Sequence, residues 1–310
     1  MDFDLSSDQV ALRDAASGFL DDRCTSSHVR LAADRGGFDL SLWTSMVDQG
    51  WISIATSESA GGLGMGSVEA AVLLEQLGRY LAPVPLNQHL NALHVLADTP
   101  WSEGLLEGSL IATVARRSVE RNADGSVTGC PEPVIYGASA DLLVVPAGDE
   151  LVVVDLTAID RKPEPAMDRT RELAWIGMEE VPAVTVGDAS AVAAHLDRGA
   201  VFHSVELLGA GEAYGHCGGL SRVSENSSGS RSAPSRQSSI AVPTCLSTSK
   251  GCVPPPTTQR GRSVLAIRTL RSLRRWPRFG VAMPAFGSPS RPSRSTGALV
   301  LPGSRTSTCT

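Results

Sequence analysis

Side chains able to do chemistry are sparse in this sequence and poorly spaced for the common reactions. The six histidines are scattered, and His89 and His94 are five residues apart, which does not place them on one helical face. The sequence holds no phosphate-binding loop of the Walker type, no dinucleotide fingerprint, no zinc-ligand spacing and no nucleophile elbow. The residues alone therefore predict no metal site and identify no nucleophile.

Within segment 57–66, Ser57 and Glu58 are followed by four glycines, which are Gly61, Gly62, Gly64 and Gly66. Glycine-rich loops cradle phosphate when a strand leads into them and a helix follows. No strand pattern precedes this segment in that way. We therefore predict a tight turn between two helices, with glycines at positive φ.

The charge of the chain is divided unevenly between two regions. The 310 residues carry 27 basic and 33 acidic side chains, a net charge of −6. Residues 221–310 contain 19 Ser, 10 Pro, 13 Arg and one lysine, Lys250, but a single acid, Glu225, so this region carries +13 and the remainder −19. A change of this size indicates that the two regions need separate explanations.

Three classes of protein are disfavoured by the sequence. No apolar run approaches the roughly 20 residues that a membrane span needs. The acidic N-terminus, MDFDLSSDQ, lacks the basic and then apolar pattern of a secretion signal. Six cysteines in this length are too few for a disulfide scaffold. We therefore expect a cytoplasmic protein with no membrane span.

Helical spacing of apolar residues dominates the first hundred positions. Ser6 and Gln9 have the spacing of a capping box, and Asp39 has the position of an N-cap. The predicted helices cover 6–22, 39–49, 67–80 and 87–96.

Short β-branched runs separated by Gly, Asp and Pro begin near residue 110. Asp124 and Gly125 predict a hairpin turn between two of these runs. The pattern favours at least five strands in a small antiparallel barrel or sandwich. Helical spacing returns over 189–213.

These patterns predict an α+β fold. We expect an N-terminal all-α helical domain over 1–105 and a small antiparallel β-barrel-like middle domain over 106–187. The start of a C-terminal helical bundle is expected over 188–213. The basic Ser/Pro/Arg-rich region 214–310 shows no sustained periodicity, so we expect a non-native, disordered tail.

Residues 50–85 resemble the N-terminal helical domain of acyl-CoA dehydrogenases. That family commonly shows Gly-Trp, then Pro-Glu-x-x-Gly-Gly-x-Gly, then Glu-x-x-Gly-Arg-x-x-Ala-Pro. The matching residues are Gly50, Trp51, Glu58, Gly61, Gly62, Gly64, Glu75, Gly78, Arg79, Ala82 and Pro83, and Ser57 replaces the usual proline. The family's order of helical domain, β domain and helical bundle also matches the predicted order over about residues 1–213.

The resemblance implies dehydrogenation of an acyl-CoA substrate, in which a carboxylate removes the α-proton and FAD accepts the β-hydride. It also implies a homo- or hetero-oligomer with another acyl-CoA dehydrogenase-like subunit. A few family members carry their base on a bundle helix, which makes Glu206 and Glu212 weak candidates for the catalytic base. The simpler interpretation of both residues is solvated helix charge.

The middle domain departs from the family pattern at both flavin motifs. Residues 112–118 read ATVARRS where members commonly have Thr-Glu-Pro-x-Ala-Gly-Ser-Asp, and residues 133–136 read PVIY near the place of Trp-Ile-Thr-Asn. No flavin-binding residue is therefore identified in this chain. The departures are typical of the degenerate middle domain of non-catalytic partner subunits, which leaves that role as an alternative.

The basic region has the composition expected of a gene translated in the wrong reading frame. Family members continue with a Lys-x-Arg-x-Gln-Phe-Gly-x-Pro-Ile-Gly segment. Codons compatible with residues 223–251 permit KREQFGQPIGSFQAVKH in a shifted frame, and those of 294–310 permit IHGGTGFTWEQDVHLY. We hypothesise a frameshift between about Ala213 and Val223, which removes most of the bundle and leaves a truncated chain without dehydrogenase activity.

Polyanion binding through the tail is the alternative from another class. Trp276 and Phe279 lie among basic residues, which are Arg271, Arg274, Arg275 and Arg278. Such a tail binds nucleic acid without sequence preference. Arginine is also what a GC-rich gene yields out of frame, so we predict no specific nucleic-acid partner.

Overall fold

The computed structural model describes the backbone of residues 4–227 and the side chains of residues 4–215. Six α-helices come first, and two short 3₁₀ turns, Trp51–Ser53 and Glu58–Ala60, join the third to the fourth. The helices are α1 Ser7–Arg23, α2 Ser26–Asp34, α3 Leu40–Asp48, α4 Ser67–Tyr80, α5 Leu86–Leu96 and α6 Ser102–Leu106. The four predicted helices are confirmed as α1, α3, α4 and α5.

Local capping explains where these helices begin. The Ser6 hydroxyl accepts from the Gln9 backbone N–H, while the Gln9 side chain accepts from the Ser6 N–H, which completes the predicted capping box. The Asp39 carboxylate accepts from the Leu42 N–H at the start of α3. Helix α2 was not predicted, because its nine residues bury only Val29 and Ala32.

The glycine-rich segment forms the predicted turn. Gly61, Gly64 and Gly66 all have positive φ. A Cβ atom at Gly62 would overlap the Thr56 backbone, so no larger residue fits there without movement. The prediction of a tight turn between α3 and α4 is confirmed.

Ten short strands follow the helices and form three sheets. The sheet orders are β1-β5-β6-β10, β2-β3-β9 and β4-β8-β7. The strands are β1 Ala112–Val114, β2 Glu120–Arg121, β3 Ser126–Gly129, β4 Val134–Ile135, β5 Leu142–Ala147, β6 Glu150–Asp155, β7 Arg161–Pro163, β8 Leu173–Ile176, β9 Met178–Pro182 and β10 Val184–Gly187. The predicted hairpin at Gly125 joins β2 to β3, which pair antiparallel.

The expected α+β fold is confirmed, and most strand pairs are antiparallel as expected, but the expectation of a barrel-like middle domain is wrong. Among the described residues the three sheets do not close on one another. Strand β1 pairs in parallel with β5. The connection between them contains β2, β3 and β4, which belong to the other two sheets. Such pairing is set by contacts distant in sequence, which the alternation of apolar residues does not reveal.

Helix α7, Ala189–Ser227, returns from the strands to the N-terminal helices and runs beyond the predicted end at Ala213. It packs mainly on α4. Glycines make this contact close: a Cβ at Gly78 would overlap the Glu206 carbonyl, and one at Gly209 would overlap the Glu75 carbonyl. The rest of the predicted tail, including the Arg271–Phe279 region, lies outside the described residues.

Candidate functional site

A buried polar cluster, which we call the Arg171 junction, joins α7 to the strands and to α5. The Arg171 guanidinium forms an ion pair with the Glu206 carboxylate at 2.5 Å, and the two side chains are only 16% and 14% exposed. The second Glu206 oxygen accepts a hydrogen bond of 2.7 Å from Asn87 Nδ2. The Arg171 junction therefore gives Glu206 a countercharge and a hydrogen-bond donor.

Arg171 holds three further groups through one nitrogen. Its Nη1 donates to the Ala82 carbonyl at 2.7 Å, the Thr170 carbonyl at 3.3 Å and the Tyr136 hydroxyl at 3.4 Å. Burial opposes the charge of Arg171, but Tyr136 and Glu206 outweigh it and raise the pKa of the guanidinium above its ordinary value. Arg171 is therefore a cation in this cluster at every accessible pH.

The loop before β8 positions Arg171 by local turns and by a close backbone approach. The Asp168 carboxylate accepts from both the backbone N–H and the hydroxyl of Thr170, which fixes the turn. Gly37 lies against the backbone of this loop, where a Cβ would stand 3.0 Å from its atoms. The loop is thus seated on the N-terminal helices.

Tyr136 reaches the junction from the end of β4 in an unusual conformation. Its φ is 57°, which a bulky residue rarely adopts. The side chain is buried, and burial is the main reason that the pKa of its hydroxyl is raised. Its ring packs edge-on against Phe38 of the loop before α3. The loop before α3, the end of β4 and the loop before β8 therefore meet at Tyr136.

Glu206, a predicted candidate for the catalytic base, therefore lies in a network that binds both carboxylate oxygens. A general base needs a lone pair directed at the substrate proton within hydrogen-bond reach. Glu212, the other candidate, is half-buried and six residues further along α7, roughly 9 Å of helical rise away. The fold does not pair the two carboxylates, and their catalytic role stays a prediction.

His89 and His94 both lie on α5 but have different surroundings. His89 is fully buried, and its Nδ1 accepts from the Ala112 N–H at 3.3 Å, so its Nε2 donates to the Leu105 carbonyl at 3.1 Å. Burial lowers the pKa of His89 to about 4. His94 is exposed. Among described residues no group of three or more metal-ligating side chains converges.

In the two segments that correspond to the flavin motifs, hydrogen-bond donors are bonded to acceptors of the chain itself. The buried Thr113 hydroxyl donates to the Ile135 carbonyl at 2.6 Å, and the Arg116 N–H donates to the Glu132 carboxylate at 2.9 Å. The polar edge of a flavin needs unoccupied hydrogen-bonding groups. These two segments therefore do not fit FAD by themselves.

Sequence reasoning missed Arg171, Asn87 and Tyr136. Arg171 and Glu206 are 35 residues apart, and Asn87 and Glu206 are 119 apart. Neither spacing carries a periodic or motif signal. Only the crossing of α7 with the N-terminal helices brings these groups together.

The sequence is similar to a family model and to characterised proteins. A sequence model described as "Acyl-CoA dehydrogenase, N-terminal domain" matches residues 6–97. The acyl-CoA dehydrogenase IpdE2 of Mycolicibacterium smegmatis is 30% identical over 214 residues, which are 66% of this chain and 61% of that protein. The chain thus spans less than two thirds of the length of this curated relative.

Solved structures share the fold. The Tcur3481-Tcur3483 steroid ACAD G363A variant gives a TM-score of 0.63 at 25% identity, covering 68% of this chain and 65% of that one. The ChsE4-ChsE5 complex from Mycobacterium tuberculosis gives a TM-score of 0.66 at 24% identity, covering 71% and 68%. Within the part of the chain that the structure describes, no helix has the length and apolarity to cross a membrane.

Proposed function

Because this chain belongs to the acyl-CoA dehydrogenase family, we propose that it derives from a subunit that dehydrogenates an acyl-CoA thioester with FAD. The match of residues 6–97 to the family's N-terminal domain carries the proposal. The glycine turn before α4 and the close packing of α7 on α4 support it, because they build a frame to which the family's remaining helices would be added. The substrate class would be fatty or steroid-derived acyl-CoA, in line with the relative named as a steroid ACAD.

In this proposal the present chain has no dehydrogenase activity. Two observations support this view. The described counterparts of the flavin motifs use Thr113 and the Arg116 N–H internally, and Glu206 is engaged by Arg171 and Asn87. The groups that complete a flavin site and supply a base would come from the bundle, whose sequence the codons of this chain permit in a shifted frame.

Sequencing the gene from codon 205 to the end tests the frameshift. The expected result is one or two small insertions or deletions, whose correction restores KREQFG and IHGGTGF. An uninterrupted frame in independent isolates, with codons that do not permit these segments, would refute it.

The second candidate function is that of a non-catalytic partner in a heteromeric acyl-CoA dehydrogenase. The altered flavin segments favour it, and the ChsE4-ChsE5 neighbour is a complex of two named chains. The frame-restored protein should be purified alone and together with a second acyl-CoA dehydrogenase-like chain. Flavin absorbance in the protein alone would indicate a homomeric enzyme, whereas flavin bound only in the pair would indicate a partner subunit.

A further inference from the structure

The first three helices border an open cleft, which we call the α2 cleft. The end of α1, one face of α2, the loop that follows α2 and the first turns of α3 line it. Its volume is about 570 Å³. Sites for small molecules commonly have volumes of roughly 300–1,000 Å³, so the α2 cleft has room for a small ligand.

Helix α2 presents apolar and basic side chains to this cleft together. His28, Leu31, Ala32 and Arg35 all line it, and their spacing of three and four residues places them on one face of the helix. Arg30 lies on the opposite face of α2 and is exposed there. The α2 cleft therefore receives a defined set of side chains from α2.

The apolar wall of the α2 cleft is incompletely covered by the chain itself. Leu31 of α2 and Leu40 at the start of α3 line the cleft and are 46% and 62% exposed. Phe38 and Leu42 line the same cleft and are better covered. A single exposed leucine needs no explanation, but two that border one concave surface indicate a place for an apolar group.

Two arginines line the α2 cleft beside this apolar wall. Arg23 is held in place, because its Nη1 donates to the Ser45 hydroxyl at 2.8 Å and its guanidinium lies 5.2 Å from the centroid of the Phe19 ring. The Arg35 side chain has no hydrogen-bond partner among the described residues, and no described carboxylate forms an ion pair with either guanidinium. Arg35 is therefore the cation of the cleft whose hydrogen-bond donors remain for a ligand.

The acids and the histidine of the α2 cleft complete its charge. The Asp39 carboxylate accepts from the Leu42 N–H at 3.0 Å, so the N-terminus of α3 offsets its charge. Asp22 is exposed in the last turn of α1, where water screens it. His28 Nδ1 lies 2.9 Å from the Thr25 hydroxyl, which leaves Nε2 for a ligand. The balance of these groups favours an anion over a cation.

We propose that the α2 cleft binds an amphiphilic carboxylate, which is a small molecule with an apolar chain and a carboxylate at one end. The chain contacts Leu31 and Leu40, whose apolar surface then leaves water. The carboxylate accepts hydrogen bonds from the planar guanidinium of Arg35, and the charge of Arg23 adds to the attraction. The site goes beyond the proposed function, because it uses neither a flavin nor a catalytic base.

Calorimetric titration of the full chain with three amphiphiles tests the class of ligand. The probes are decanoate, hexanoate and decyltrimethylammonium, each kept below its micelle concentration. Decanoate should bind at least about tenfold more tightly than hexanoate, because its four further methylenes leave water. It should also bind more tightly than decyltrimethylammonium, which carries the opposite charge on the same chain. Failure of decanoate to bind, or equal binding of the two ten-carbon probes, would overturn the proposal.

Two arginine variants locate the binding of the carboxylate. Arg35→Gln should weaken decanoate binding by about tenfold or more, because a charge-assisted hydrogen bond is lost. Arg30→Gln is the matched control on the opposite face of the same helix and should bind decanoate normally. Both side chains are exposed, so neither substitution disturbs the core. Equal affinities of the two variants would show that decanoate binds elsewhere.

Two leucine variants test the contact with the chain of the ligand. Leu31→Ser should reduce the difference in affinity between decanoate and hexanoate, whereas Leu207→Ser, at an exposed leucine of α7, should preserve it. Leu40→Ser repeats the test from α3 and covers the case in which Leu31→Ser fails to fold. An unchanged difference in the folded cleft variants would contradict the site. These titrations need no flavin, so they are decided independently of the proposed dehydrogenation.

Discussion

Two polar clusters lie on the contact between α5 and α7, and they differ in how their charged groups are paired. One is the Arg171 junction, and the other, which we call the Asn91 cluster, consists of Asn91 on α5 with His195 and Arg198 on α7. Asn87 and Asn91 are one helical turn apart on α5, and each faces a charged residue of α7. At the junction Glu206 is paired with Arg171, whereas no described carboxylate forms an ion pair with Arg198 in the Asn91 cluster. The contact between α5 and α7 therefore holds one paired buried charge and one half-buried charge without a countercharge.

The largest expected effect tests the matched cluster. Arg171→Met removes the countercharge and leaves the Glu206 carboxylate buried, so the free energy of unfolding should fall by about 3–5 kcal/mol. Denaturation in urea measures this change. The double variant Arg171→Met with Glu206→Leu should recover most of the loss, because no charge is then unpaired. If Arg171→Met lowers the free energy of unfolding by less than about 1 kcal/mol, the Arg171–Glu206 pair contributes no more than an exposed surface ion pair, which would contradict this account.

The helix crossing that carries Glu206 should be nearly as sensitive. In Gly209→Ala the new methyl group would overlap the Glu75 carbonyl of α4, so α4 and α7 must separate, at a cost of about 1–3 kcal/mol. The matched control is Gly211→Ala, because nothing lies within 4 Å of a Cβ at that glycine. It should stabilise α7 by up to about 1 kcal/mol. Equal effects of the two substitutions in urea denaturation would contradict the close crossing.

Acid should act on two buried histidines, His89 and His195. The folded pKa values of His89 and His195, about 4, lie below the ordinary value of 6.5. Between about pH 6.5 and 4, the unfolded chain therefore binds protons at these two rings, whereas the folded chain keeps the rings neutral. Stability is fully present above about pH 6.5 and falls with decreasing pH, by at most about 1.4 kcal/mol per pH unit for each ring.

Urea denaturation at about pH 7 and about pH 5 measures this slope. His195→Gln should remove about half of it, because His89 still supplies the other half. A slope that this substitution leaves unchanged would assign the acid sensitivity to other groups.

The smallest effect is expected two residues from the junction. Arg169 pairs with Asp34 at 2.9 Å, but the side chains are 66% and 67% exposed. Water screens such a pair, so Arg169→Met should change the free energy of unfolding by less than about 1 kcal/mol. Arg169 and Arg171 share one loop, which makes their two methionine variants a direct comparison of exposed and buried pairing.

Features governed by neighbours in sequence were predictable, and features governed by distant contacts were not. The capping box of Ser6 and Gln9, the cap of Asp39 and the turn at Gly125 are local, and each was correctly predicted. The parallel pairing of β1 with β5 and the Arg171–Glu206 ion pair depend on the packing of whole elements. For this reason the barrel expectation was wrong and the candidate site was found only in the fold.

The proposed function is tested most directly by adding acyl-CoA to flavin-supplemented protein and following flavin absorbance. The present chain and its frame-restored counterpart should be measured side by side, each alone and with an acyl-CoA dehydrogenase-like partner. We expect substrate-dependent bleaching only in samples that contain the frame-restored chain. Bleaching by the present chain alone would contradict the account, because the chain without frame correction would then supply a flavin site and a base.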